Sequence, residues 1–125
     1  MAKFEDVWAL SLGVIAVASK ALRRKPQIPP AGPLADGISV LIPSREGRHL
    51  IERMLPGVEA DLAPGEIIVV DNGSSDGTAD FLRLAHPQVR CHPHPEPLSF
   101  ARAANRGAAL ARCRRVCLLN NDMEI

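Results

Sequence analysis

The chain carries no excess of charge of either sign: 15 basic residues face 14 acidic ones, a formal net charge of +1 over 125 residues. That balance removes any global electrostatic case for nucleic acid or an anionic membrane as partner, and leaves room only for a local basic site. A disulfide framework is also missing. Cys91, Cys113 and Cys117 form neither an even set nor a CxxC pair, so reduced thiols, buried in structured segments in a reducing compartment, are expected. Cys91, His92 and His94 with one distal cysteine follow no common zinc spacing, and Pro93, Pro95 and Pro97 point to an extended loop there. No run of apolar residues is long enough to span a bilayer. Residues 7–18 (VWALSLGVIAVA) number only 12, too few for a core of about 30 Å at roughly 1.5 Å per helical residue, even if extended through Leu22. Finally, no GxGxxG follows the first strand and no Walker phosphate loop occurs, which excludes two familiar nucleotide-binding designs.

What is present is a globular composition, 46% hydrophobic, sufficient for one domain with a core. Residues 1–25 read as an apolar N-terminal helix with a basic flank: Glu5 and Asp6 precede the apolar run, and Arg23, Arg24 and Lys25 follow it. Ala16-Val17-Ala18 has the look of a signal cleavage site, but secretory signals open with positive charge, and this one opens acidic. A helix that packs on the domain or lies at the inner face of a membrane fits the length, and the basic flank favours a cytoplasmic location for the rest. Residues 26–37 begin with PQIPPAGP, four prolines in eight residues, which cannot continue a helix and read as a semi-rigid linker ending near Gly37.

From residue 38 the pattern alternates. Strands are expected at 38–42 (ISVLI, closed by Pro43), 67–70, 88–91 and 116–119. Helices are expected at 47–62, kinked or interrupted at Pro56 and Gly57, at 78–85 with Phe81, Leu82 and Leu84 turned inward, and at 100–112. Alternation of this kind gives a mainly parallel sheet with right-handed crossovers, an α/β fold of the Rossmann-like, three-layer α/β/α sandwich type. Three polar clusters then fall on one edge of the sheet: Pro43, Ser44, Arg45 and Glu46; Asp71, Asn72, Gly73, Ser74 and Ser75; and Asn120, Asn121 and Asp122. Ligands of such sheets bind beyond the carboxyl ends of the strands. The stretch EIIVVDNGSSDGT also admits a plainer reading, a strand-to-helix connection capped by Ser75 or Asp76.

Taken in order, ISVLIPSRE, EIIVVDNGSSDGT, LSFARAANRGAALAR and VCLLNND resemble the nucleotide-sugar half of family 2 glycosyltransferases, enzymes of the GT-A fold, over residues 38–125. The resemblance implies transfer of a sugar, with inversion, from a UDP- or dTDP-linked donor to a saccharide or lipid-linked acceptor, as in making cell envelope polysaccharide, with no nucleic acid involved. It implies that Asp71 contacts the nucleobase, that Pro43, Ser44, Arg45 and Glu46 flank the base, and that Asn72, Ser74 and Asp76 face the nucleotide, Asp76 serving equally well as a cap. Asn120, Asn121 and Asp122 fall on the family's Asp-x-Asp motif, with Asn120 in place of the first acid. Asp122 would there hold Mg²⁺ or Mn²⁺ bridging the donor diphosphate. On the third helix Arg102, Asn105, Arg106 and Gly107 match the family's Ala-x-Asn-x-Gly segment, with the arginines toward phosphate or merely solvated and Gly107 allowing close packing.

The chain ends three residues after Asp122, so an acceptor site and a general base are expected beyond Ile125, and this half is expected to bind donor without turnover. The alternative is a non-catalytic α/β module that docks a partner chain, with the same turns serving only as caps.

Overall fold

The computed structural model describes residues 33–123. The apolar helix expected in residues 1–25 and most of the linker lie outside the described residues, and no helix among the described residues is long and apolar enough to cross a membrane. Four strands and three helices alternate: β1 (Ala35–Ser44), α1 (Arg48–Asp61), β2 (Gly65–Asn72), α2 (Thr78–Ala85), β3 (Arg90–His94), α3 (Phe100–Leu110) and β4 (Cys113–Leu118). The sheet is parallel throughout with strand order β3-β2-β1-β4.

Because side chains alternate across a strand, the two central strands serve two cores at once. Val40, Ile42, Ile67 and Val69 pack with Ile51, Met54, Leu55 and Val58 of α1 and Leu82 of α2. Leu41, Ile68 and Val70 pack on the other face with Ala103 of α3. The result is the expected three-layer sandwich. Ile42, Ile51, Leu55, Ile68 and Leu82 are all fully buried, each contributing about 1.5–3 kcal/mol by its removal from water. A Cβ at Gly107 would meet Val70 Cγ2 at 3.1 Å and the Leu41 methyls at 3.5 and 3.6 Å, so this glycine brings α3 close to the sheet rather than to the polar edge.

Several boundaries differ from the expectation, each for a physical reason. β1 starts at Ala35, inside the expected linker, because Cys113 of β4 pairs with it across a register shift before Ile38. It also runs through Pro43. The Leu41 carbonyl accepts from Leu119 N–H at 2.9 Å, so by alternation Pro43 turns its missing N–H toward the same side, beyond the last β4 pair, and no ladder bond is lost. α1 is one helix through Pro56 and Gly57. Pro56 lies on its exposed side, where water satisfies the freed carbonyl, while buried Ile51, Met54, Leu55 and Val58 hold the helix to the sheet on either side of it. β3 lies at 90–94, later than expected, and includes Pro93, which an edge strand tolerates. Leu84 is 73% exposed while Leu82 is fully buried, since two positions apart on a helix point to different faces. α3 stops at Leu110 and β4 takes 113–118.

Candidate functional site

The strand order makes the site. The chain winds outward from β1 through β2 to β3, then returns to place β4 on the other side of β1, so the strand order changes direction beside β1, and sheets of this kind take ligands at the carboxyl ends of the strands near such a point. All three polar clusters expected from the sequence stand on this edge, as parallel pairing demands. Ser44 is in register with Asp71, and Asn72 with His94.

Asp71 is 4% exposed. Its Oδ1 accepts from Ser74 N–H at 3.2 Å, and Oδ2 has no partner among the described residues. Among the described residues no fully buried side-chain polar atom lacks a partner, so that second oxygen is not fully buried. A half-satisfied carboxylate at a strand end, backed by an apolar sheet, is an acceptor held ready for an N–H or O–H from outside. Burial and the charge of Asp71 together push the neighbouring Cys91 thiol up to about 11, which makes it inert. All three cysteines are free.

Other residues expected at the edge are there, but held by protein partners. Both ends of the Asn72 amide are taken by Leu98: Nδ2 donates to its carbonyl at 2.8 Å and Oδ1 accepts from its N–H at 2.6 Å. Asn72 therefore anchors the segment leading into α3. Ser44 accepts from Asn121 Nδ2 at 2.8 Å, tying the end of β4 to the end of β1. Gly47 makes this contact possible, because a Cβ there would collide with both Asn121 Nδ2 and Ser44 Oγ. Glu46 Oε1 accepts from Ser75 N–H at 2.6 Å and from its hydroxyl at 3.1 Å, and Glu46 N–H donates to Ser74 Oγ at 2.9 Å. Asp76 serves two helices. Its Oδ2 accepts from Arg48 N–H at 2.9 Å at the start of α1, and its Oδ1 from the N–H and hydroxyl of Thr78 at the start of α2. The cap foreseen at Asp76 or Ser75 thus belongs to Asp76, one residue before the N-cap position Gly77, whose φ is 80°. Burial alone would raise the Asp76 carboxyl, but those hydrogen bonds outweigh it and hold the group below its ordinary range.

What remains open is a smaller set. Arg45, Arg102, Arg106, Asn120 and Asp122 are exposed, Asn105 is half-buried on α3, and Pro43 is buried near the end of β1. No hydrogen bond takes the Asn105 amide among the described residues. α3 enters from the same edge through Ser99, whose hydroxyl accepts from Arg102 N–H at 3.4 Å. Asp122 has no partner among the described residues, and no group of three His, Cys, Asp or Glu side chains capable of holding a metal occurs among them. A lone carboxylate fits a hard divalent cation only where phosphate oxygens and water complete the shell, so the residues fit a metal that arrives with a diphosphate and not a resident structural ion.

Sequence reasoning missed the structural importance of Gly47 and Ser75. A glycine directly before a helix was the available signal for the first; the second depends on a loop 29 residues away in the chain and had none.

The sequence profile described as Glycosyl transferase family 2 matches residues 39–125. No curated protein sequence matches the chain significantly. Among solved structures, S. aureus TarS 1–349 superposes with a TM-score of 0.62 at 18% identity, over 69% of this chain and 27% of that one, and its complex with UDP gives the same values. The mannosyltransferase PcManGT from Pyrobaculum calidifontis, in complex with GDP-Man and Mn²⁺, superposes with a TM-score of 0.61 at 25% identity, over 74% of this chain and 30% of that one. The likeness to TarS is one of fold. The chain spans less than a third of the length of either structure.

Proposed function

The chain belongs to glycosyl transferase family 2, and from that premise we propose that it forms the donor-binding part of an enzyme that transfers a sugar from a nucleoside-diphosphate sugar to an acceptor. The observation that carries this reading is Asp71: a buried carboxylate at the carboxyl end of β2, beside β1, with one oxygen fixed by Ser74 and the other without a partner among the described residues. An acceptor-only group in that position suits the ring N–H of uracil, thymine or guanine, or a ribose hydroxyl. Solved structures similar to this one include complexes with UDP and with GDP-Man, both of which carry such a base.

Asn105 and Asn120 are assigned to hydroxyls of the ribose or sugar, Arg45 to the flank of the base, Arg102 and Arg106 to the diphosphate, and Asp122 to Mg²⁺ or Mn²⁺ bound with it, as PcManGT is bound to Mn²⁺. A bound divalent ion would stabilise the departing nucleoside diphosphate as a Lewis acid. What the chain's own residues do is bind and orient. The apolar sheet beneath Asp71 excludes water from its back, which strengthens each polar contact made from the front. The apolar segment at 7–18 with its basic flank supports a location at the cytoplasmic face of a membrane.

Calorimetric titration with UDP-, dTDP- and GDP-sugars in the presence of Mn²⁺ tests the reading. Binding that weakens about thirtyfold in Asp71→Ala and loses its Mn²⁺ dependence in Asp122→Ala is expected. Equal, weak affinity in all three proteins would sink it in favour of a non-catalytic module.

A further inference from the structure

The two loops at the binding edge exchange carboxylates. Glu46, after β1, reaches across to the N–H and hydroxyl of Ser75, while Asp76, after β2, reaches back to the N–H of Arg48. Between these two contacts Ser74 works in both directions: its Oγ accepts from Glu46 N–H at 2.9 Å, and its own N–H donates to Asp71 Oδ1 at 3.2 Å. A continuous path of hydrogen bonds therefore runs from Glu46 through Ser74 to the Asp71 carboxylate. Glu46 itself has φ of 51°, the only non-glycine positive φ among the described residues. Such a conformation is unfavourable for glutamate and persists only where surrounding bonds hold it. Here both its main-chain N–H and its side chain are held by the opposite loop.

We infer that Glu46 is a positioning residue and not a donor contact: by gripping Ser75 it presses the 73–77 turn against the end of β1, and through Ser74 it sets the direction in which Asp71 presents its open oxygen. This rests on the donor-site reading above. It also explains how an acid is tolerated beside a diphosphate site, since two donors from Ser75 take up the charge that would otherwise repel the ligand.

The latch and the binding role are read separately. In the ligand-free chain, amide hydrogen exchange is expected to show Ser75 N–H protected in the wild type and in Glu46→Gln, which keeps an acceptor oxygen at the same reach, and unprotected in Glu46→Ala. UDP and GDP titrated into the same proteins should bind Glu46→Ala about tenfold more weakly than the wild type, the equivalent of one hydrogen bond, with Glu46→Gln restoring most of the loss. Ser74→Ala, which removes the acceptor of Glu46 N–H and leaves the Glu46 carboxylate on Ser75, should weaken binding in the same direction. His86→Ala, which removes a 2.9 Å contact to Glu59 in the seam between α1 and α2, should lower Tm and leave affinity unchanged. Full affinity in Glu46→Ala, or a loss no greater than that of an equally destabilised His86→Ala, overturns the positioning role. Ser75 N–H exchanging as fast in the wild type as in Glu46→Ala overturns the latch. A wild type that binds neither UDP nor GDP overturns the donor reading and the binding part of this inference, while the exchange data still decide the latch.

Discussion

Two carboxylates on β2, Glu66 at its start and Asp71 near its end, sit at opposite edges of the same sheet, Glu66 half-buried and Asp71 buried, and do different work. Glu66 Oε1 accepts from Ser39 Oγ at 2.7 Å and Arg112 N–H at 2.6 Å, and Oε2 accepts from Arg90 Nη1 at 2.6 Å. Arg90 goes on to the Leu110 carbonyl at 3.0 Å, and Ser39 Oγ accepts from Cys113 N–H at 3.1 Å. That network joins β1, β2, β3 and the turn into β4, and both oxygens of its central acid are taken. Asp71, by contrast, keeps one oxygen unclaimed. The comparison separates a polar group that holds a fold from one that waits for a ligand: the test is whether its bonding capacity is filled from within.

The largest effect that would break the comparison is on stability at the closed edge. Glu66→Ala leaves the Arg90 guanidinium, itself only 22% exposed, without its carboxylate and with the Leu110 carbonyl alone, and takes the shared acceptor from Ser39 Oγ and Arg112 N–H. A loss of about 3 kcal/mol is expected in urea unfolding, with UDP affinity unchanged. The pH profile carries the same signature. Burial would raise the Glu66 carboxyl, but the bonds from Ser39, the Arg112 amide and Arg90 hold it below its ordinary value of 4.5, as the helix-terminal amides do for Asp76. A depressed folded-state value means stability that is complete above the ordinary value and lost as pH falls through the folded one. The urea midpoint should therefore hold from neutral pH down to about 5 and drop below about 4, and the drop should be smaller in Glu66→Ala.

Asp71→Ala should do the opposite, costing about 2 kcal/mol of nucleotide binding for a lost charge-assisted hydrogen bond while moving Tm little. If it unfolds the protein as Glu66→Ala does, Asp71 is a structural acid too and the distinction fails. Gly47→Ala lies between the two. Its φ of −112° suits alanine, but the added methyl displaces the Asn121 amide from Ser44, and a loss of about 1 kcal/mol is expected, with weaker donor binding because the binding edge loosens. Arg83→Ala sharpens the scale from below. The Arg83–Asp80 pair, 69% and 78% exposed, should change stability by less than about 0.5 kcal/mol and binding not at all.

What the sequence by itself determined was what local chemistry controls. The β-branched run IIVV specified a strand buried on both faces, the alternation of strand and helix periods specified a parallel sheet, and the order of polar clusters specified that they gather at one edge. Those signals survive in one dimension because each depends on neighbours a few residues away. α2 falls on the expected residues for that reason. Only the tertiary structure decided which polar residues at that edge are free. Glu46, Asn72, Ser74 and Asp76 look as available in sequence as Asp71 and Asn105. Their partners are Ser75, Leu98, Glu46 and Arg48, most of them 26 to 29 residues away, and they meet only when parallel pairing of β1 and β2 brings the two loops side by side. The strand ends moved for the same reason: a ladder bond from a neighbouring strand, absent from any local pattern, extends β1 back to Ala35 and carries β3 through Pro93. A residue's type sets which bonds it can make, and the fold decides which of them are already made.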